Sequence, residues 1–165
     1  NSLFGGIYYV SRGFFPFDTS SLPNNATIGT PCTLQVNNAN INGGTNSFYI
    51  VADTQASGTA LTTADFDQLG SVDWGNGLVD FTSLGIKTQT LNATGRAAVS
   101  LTGFTNLGLK HQGDFENTTP TIVNRADASN VDDADAGLRP LLTITYTVPA
   151  GGTPPGYRSL LGVGQ

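Results

Sequence analysis

RGFFPFDTSSLPNNATI, residues 12–28, is the stretch whose reading decides the fold. Phe15 and Phe17 alternate with Phe14 and Pro16, so the run reads as an extended strand covered on both faces. Asp18, Thr19, Ser20 and Ser21 end it, because their side chains bond nearby backbone groups and compete with a strand ladder. Pro23, Asn24 and Asn25 set up a turn, and Ala26 to Ile28 lead into the next strand. Near the other end, RPLLTITYT (residues 139–147) repeats the message. Leu142, Ile144 and Tyr146 share one face, and Leu141, Thr143, Thr145 and Thr147 share the other. Phe15 and Leu142 are therefore expected in one core, on strands from opposite ends of the chain.

Between these blocks the same alternation predicts strands at 7–18, 33–37, 48–52, 86–91, 105–111, 121–124 and 141–148, with Asn- and Gly-rich turns such as residues 37–46. Two short helical breaks interrupt the pattern. Thr63 precedes ADFDQL, a cap followed by acids that suit a helix N-terminus. Asn92 caps residues 93–99, where Gly95 weakens the helix by about 1 kcal/mol. The expected architecture is an all-β, antiparallel jelly-roll β-sandwich with one or two short helices, occupying residues 1–149.

Taken together, residues 12–28, TLNATGRAAVSLTGFTNLGLKHQGDFE (90–116) and residues 139–147 resemble, in that order, a jelly-roll sandwich domain of the DNRLRE type. Such domains occur in phage structural proteins and in secreted bacterial or archaeal surface proteins. The likeness runs roughly from Tyr8 to Thr147 and implies a sandwich related to carbohydrate-binding modules. In place of the family's naming string the chain has NRADASNVDDADAG, residues 124–137. Family members usually carry another strand before the first block. The chain is accordingly expected to be a processed or truncated piece, in keeping with its lack of methionine.

Composition narrows the function. One domain is the expected count for 165 residues, enough for a two-layer core. Charged residues make up 12% and the net charge is −5, with Lys and Arg scattered singly. No basic stripe exists to displace counterions from a phosphate backbone or to bind anionic lipid, so nucleic acid and membrane are excluded as partners. Cys32 is the only cysteine, which rules out an intrachain disulfide and reads as a small buried apolar residue.

Catalytic signals are missing. His111 is the only histidine and Glu116 the only glutamate; His111 falls at the end of an expected strand and Glu116 in a polar loop with Asp114, and neither has a matching constellation. No nucleophile elbow or phosphate-binding glycine loop occurs. The chain is expected to have no catalytic residues and no cofactor. Asp127, Asp132, Asp133 and Asp135 form the densest acid cluster, but their spacing does not fit a calcium loop. They read as a solvated segment balanced by Arg125 and Arg139, and no metal ligand is assigned.

Two places carry recognition chemistry. Trp74, the only tryptophan, lies in SVDWGNG beside Asp73 and Asn76. An indole near carboxylate and amide groups can stack on a sugar, or it can fold back as a loop anchor. Asp73, Trp74 and Asn76 are the candidate glycan contacts. Residues 150–165, AGGTPPGYRSLLGVGQ, change composition and read as an extended C-terminal arm. Tyr157, Leu160, Leu161 and Val163 would pin it to a neighbouring subunit. These features point to a non-catalytic virion structural or adhesion protein, a decoration, tail or fibre component working through homo-oligomeric or other virion contacts. The alternative is a secreted carbohydrate-binding module or cell-surface domain recognising a glycan. Either places the protein on a virion or outside the cell.

Overall fold

A computed structural model describes residues 2–4, 7–44, 46–119, 123–149 and 156–161. The strands are β1 (Ser2–Phe4), β2 (Ile7–Tyr9), β3 (Arg12–Asp18), β4 (Thr27–Gly43), β5 (Ser47–Asp53), β6 (Leu69–Asp73) and β7 (Val79–Asp80). After them come β8 (Gly85–Thr90), helix α1 (Ala93–Ala97), β9 (Phe104–His111), helix α2 (Gln112–Phe115), β10 (Asn124–Ala128), β11 (Leu141–Thr147) and β12 (Gly156–Leu161). Short 3-10 turns lie at Thr63–Gln68 and Ala136–Leu138. Strands hold 49% of the structure against 13% for helix, in two antiparallel sheets packed together. The expected all-β sandwich is what forms.

The connectivity is that of a long hairpin wrapped into a sandwich. One sheet runs β3-β9-β5, with β6 and β7 both paired to the far side of β5. In the other, Thr33 of β4 pairs with Thr143 of β11 and Thr90 of β8, so those strands flank β4 on opposite edges. Asn38 pairs with Gly85 of β8 and Ala128 of β10, which puts β10 on the same edge as β11. The second half of the chain thus retraces the first: β6 and β7 answer β5, β8 answers β4, and β9 answers β3. Continuing that order, β11 would be answered by a strand preceding β3. Instead β1 and β2 pair with each other, and β12 takes the place beside β11, from Leu141↔Leu161 to Tyr146↔Gly156. The segment read as an arm apart from the sandwich is therefore, over residues 156–161, a strand of its second sheet; residues 150–155 and 162–165 lie outside the described residues.

Alternation puts the core where the sequence pattern implied. Phe17, Leu34, Ile50, Leu107, Leu142 and Ile144 are all buried, each on the inward face of its strand. Phe15 joins them at the margin. The thiol of Cys32 sits among these side chains, where burial pushes its pKa up to about 11.

Residues 37–46 differ from expectation. Residues 37–43 do not form an Asn-rich turn but continue β4 to Gly43, and the bend follows at Gly44. The reason is local bonding: buried Asn37 donates to Ser129 Oγ at 2.9 Å, and buried Asn38 donates to the Phe81 and Ser83 carbonyls at 2.9 and 2.7 Å. The amides brace neighbouring segments instead of capping their own backbone. The strand ends at Gly43, where φ is 93° and a Cβ would run into the Val123 carbonyl. The second helical break is shorter than expected, ending at Ala97, and the first is shifted by one residue. Thr62, not Thr63, starts the first, because Asp65 reaches back to the Thr62 N–H at 2.7 Å.

Candidate functional site

The Asp73–Gly77 turn follows β6 and is built around its own acid. Asp73 Oδ1 accepts from the Gly75 N–H at 2.8 Å, and Oδ2 from the Gly77 N–H at 3.1 Å. Trp74 is half-buried and packs against the core; its backbone N–H donates to the Ile50 carbonyl at 2.7 Å, and its carbonyl accepts from the Asn92 N–H at 2.8 Å. Of the three expected glycan contacts, Asp73 is occupied by its turn, Trp74 serves as an anchor, and Asn76 is exposed.

Asn92 is the keystone of this corner. Its Oδ1 caps α1 by accepting from the Gly95 N–H at 3.0 Å, while Nδ2 donates to the Asp73 and Gly75 carbonyls, both at 2.7 Å. Gly95, costly for the helix, is required here because a Cβ would collide with the Trp74 carbonyl. The sequence pattern identified Asn92 as a cap but carried no signal of its second role.

His111 and Glu116 lie at one end of β9 without facing each other as an acid–base couple. His111 is buried edge-on against Phe48, and its Nδ1 accepts from the Gly113 N–H at 3.0 Å. That bond makes it the cap of α2. Glu116 is exposed and accepts from Tyr49 Oη at 3.1 Å and Gln112 Nε2 at 3.0 Å. Nearby, Arg12 forms a two-pronged pair with Asp114, at 2.8 and 3.0 Å, and lies 4.3 Å over the Phe66 ring. The hydrogen bond to Asp114 is the main cause of its raised pKa. This clamp ties the start of β3 to α2 and to the Thr63–Gln68 turn.

Asp127 on β10, and Asp133 and Asp135 in the loop that follows it, are spent on local geometry. Asp127 pairs with Arg125 through both oxygens at 2.8 Å, which holds its carboxyl below the usual range. Asp133 and Asp135 accept from the N–H groups of Asp135 and Gly137. Arg139 donates to the Asp133 carbonyl at 2.8 Å. Among the described residues, no three His, Cys, Asp or Glu side chains converge as a metal cluster.

Sequence reading passed over two further features. A cavity of about 400 Å³ opens beside β3, lined by Phe14, Phe48, Phe81 and Leu109 and rimmed by Ser129 and Asn130. The other is a run of exposed apolar side chains: Val72 on β6, Leu78 before β7, and Leu84 and Ile86 at β8, 38–63% exposed. β6 and β7 form one edge of the first sheet and β8 the edge of the second, and the two-residue strand β7 abuts β8. All four residues therefore lie along one open side of the sandwich. Alternation marks such residues only as strand members; which edge they occupy depends on long-range pairing.

No family model, no curated protein and no solved structure matches the chain.

Proposed function

We propose that the chain is a non-catalytic structural or adhesion component of a virion that works through subunit contacts. The observation that carries this reading is the apolar side at Val72, Leu78, Leu84 and Ile86. Exposed large apolar residues spaced along one open side of a weakly charged protein suit an interface. Open strand edges flank that run and can pair with another chain, and Lys87 is the only basic residue on the β8 edge. Tyr157, Leu160, Leu161 and Val163 supply a second proposed contact. β12 stands at the opposite edge of its sheet from β8, so two contact sides allow growth in a head-to-tail arrangement. The DNRLRE-type resemblance agrees with this role and with a virion or extracellular location.

A secreted carbohydrate-binding module is the alternative, with the Asp73–Gly77 turn as its contact. It has less support, because the Trp74 ring packs against the core. Light scattering on the purified chain separates the two. A homo-oligomer that ignores soluble glycans supports the structural reading. A monomer that binds a glycan, and loses binding on Trp74→Ala, supports the other.

A further inference from the structure

The loop that leaves β5 holds two buried oxygens without donors, beside a third side chain, Asp65, whose Oδ2 is held by the Thr62 N–H and hydroxyl. Asp53 is 6% exposed; its Oδ1 accepts from the Gln55 N–H at 2.8 Å, while its buried Oδ2 has no hydrogen-bond partner. Gln55 is also 6% exposed. Its Nε2 donates to the Ser57 carbonyl, which leaves Oε1 buried and without a partner. Asp65, 3% exposed, reaches back from the 3-10 turn, and its Oδ1 accepts from the Ala56 N–H at 3.2 Å. Two consecutive amides, those of Gln55 and Ala56, thus each hold one of the two carboxylates. The Gln55 side chain leaves the backbone between those anchor points.

Neighbouring charge makes this arrangement less stable, not more. The one charged group acting on Asp53 is Asp65, which adds to the effect of burial in pushing its pKa up to about 6. A buried carboxylate needs a donor, a proton or a cation. Every orphan atom here is an oxygen, and neither thiol nor imidazole is present, which selects a hard cation over zinc or copper. Calcium takes carboxylate and amide oxygens together with backbone carbonyls and water in flexible geometry. Asp53 and Gly58 stand at the spacing of the first and sixth places of a calcium loop, but Gln55 and Ser57 replace its Asp or Asn and Ala64 its closing Glu, so the site rests on the orphaned oxygens and not on that motif. Gly58 answers a different need as well, because a Cβ there would meet the Phe104 ring at 2.6 Å.

We propose that Asp53, Gln55 and Asp65 form a calcium site: Asp53 Oδ2 and Gln55 Oε1 bind the ion directly, and Asp65 supplies the second negative charge. The ion ties residues 54–68 to the end of β5.

The test uses the intact chain, stripped with chelator and returned to buffers with calcium, with magnesium or with chelator alone. Calcium should raise the unfolding temperature by several degrees, and titration calorimetry should show one site per chain. Magnesium should do much less, and Asp53→Asn should abolish the response. No binding heat and no thermal shift in the wild-type chain would overturn the site, whatever the variant does. Asp53→Asn that unfolds at a higher temperature than wild type in chelator, with no calcium response in either chain, would identify a proton as the missing partner and overturn it too. Equal stabilisation of wild type and Asp53→Asn would place the ion elsewhere and likewise overturn this site. If Asp53→Asn fails to fold, Gln55→Met serves in its place, with the same loss of response required.

Discussion

Single side chains in this sandwich hold corners that the strand pattern does not specify. Asn92 satisfies one helix N–H and two carbonyls at once, so its replacement strands three backbone groups. Asn92→Ala should destabilise the fold by about 1–3 kcal/mol, read from urea unfolding. Three Asn-X-Thr sequons begin at Asn25, Asn92 and Asn117; Asn25 and Asn117 are exposed, while the engaged Nδ2 of Asn92 makes it the least available of the three. Asp53 makes a second prediction at this scale. Its folded pKa of about 6 lies above the usual value near 4, so the folded state binds the proton more tightly than the unfolded state. Its contribution is present at low pH and lost as pH rises through that window. With divalent ions chelated, stability should fall from about pH 4 to about pH 6 and then level off. Asp53→Asn should flatten the slope. Asp18, Asp80 and Asp127 are shifted down and act in the opposite sense, below about pH 4. Measuring unfolding across both windows separates the two groups.

At the level of the element, pattern and structure agree where large apolar residues recur at every second position. β3, β9 and β11 were legible because Phe15, Phe17, Leu107, Leu109, Leu142 and Ile144 alternate without interruption. β4 was legible only in its middle, since the Asn-rich half is held by side-chain bonds to Ser129, Phe81 and Ser83 that lie far away in sequence. β12 was missed for a related reason. Gly and Pro dominate residues 150–156, and a sequence window cannot reveal that β11 has an open edge. The candidate site fared worse: Asp73 and Trp74 were visible as residue types, while Asp53 and Gln55 became notable only through burial and their missing partners. Two predictions belong here. A chain ending after residue 149 should unfold several degrees below the full chain, because β11 loses its outer ladder; equal melting temperatures would refute a stabilising β12. Arg12→Met should cost about 1–3 kcal/mol, since it leaves Asp114, 12% exposed at its side chain, without a partner. Asp114→Asn combined with Arg12→Met should recover part of that loss.

For the molecule as a whole, the balance of charge and apolar surface matters most. A sandwich of this size has four strand edges, and natural proteins protect such edges with charge, proline or cover. β3 carries Pro16 and β12 covers β11, whereas the β6–β7 and β8 side has Val72, Leu78, Leu84 and Ile86 exposed. An obligate contact there should bury more than about 2,000 Å² in total and be largely apolar. Charges placed at its centre would be desolvated without partners in the assembly yet harmless in the free chain. Leu84→Asp combined with Ile86→Lys should therefore leave the unfolding temperature of the isolated chain nearly unchanged and abolish assembly. Light scattering across a concentration series checks the second outcome, and thermal melting the first. Assembly that survives both charges would remove this side from the interface and leave β12 and the residues after it as the remaining contact. A double variant that is monomeric but also much less stable would mean that Leu84 and Ile86 serve the fold itself, and the subunit-contact reading would lose its main support.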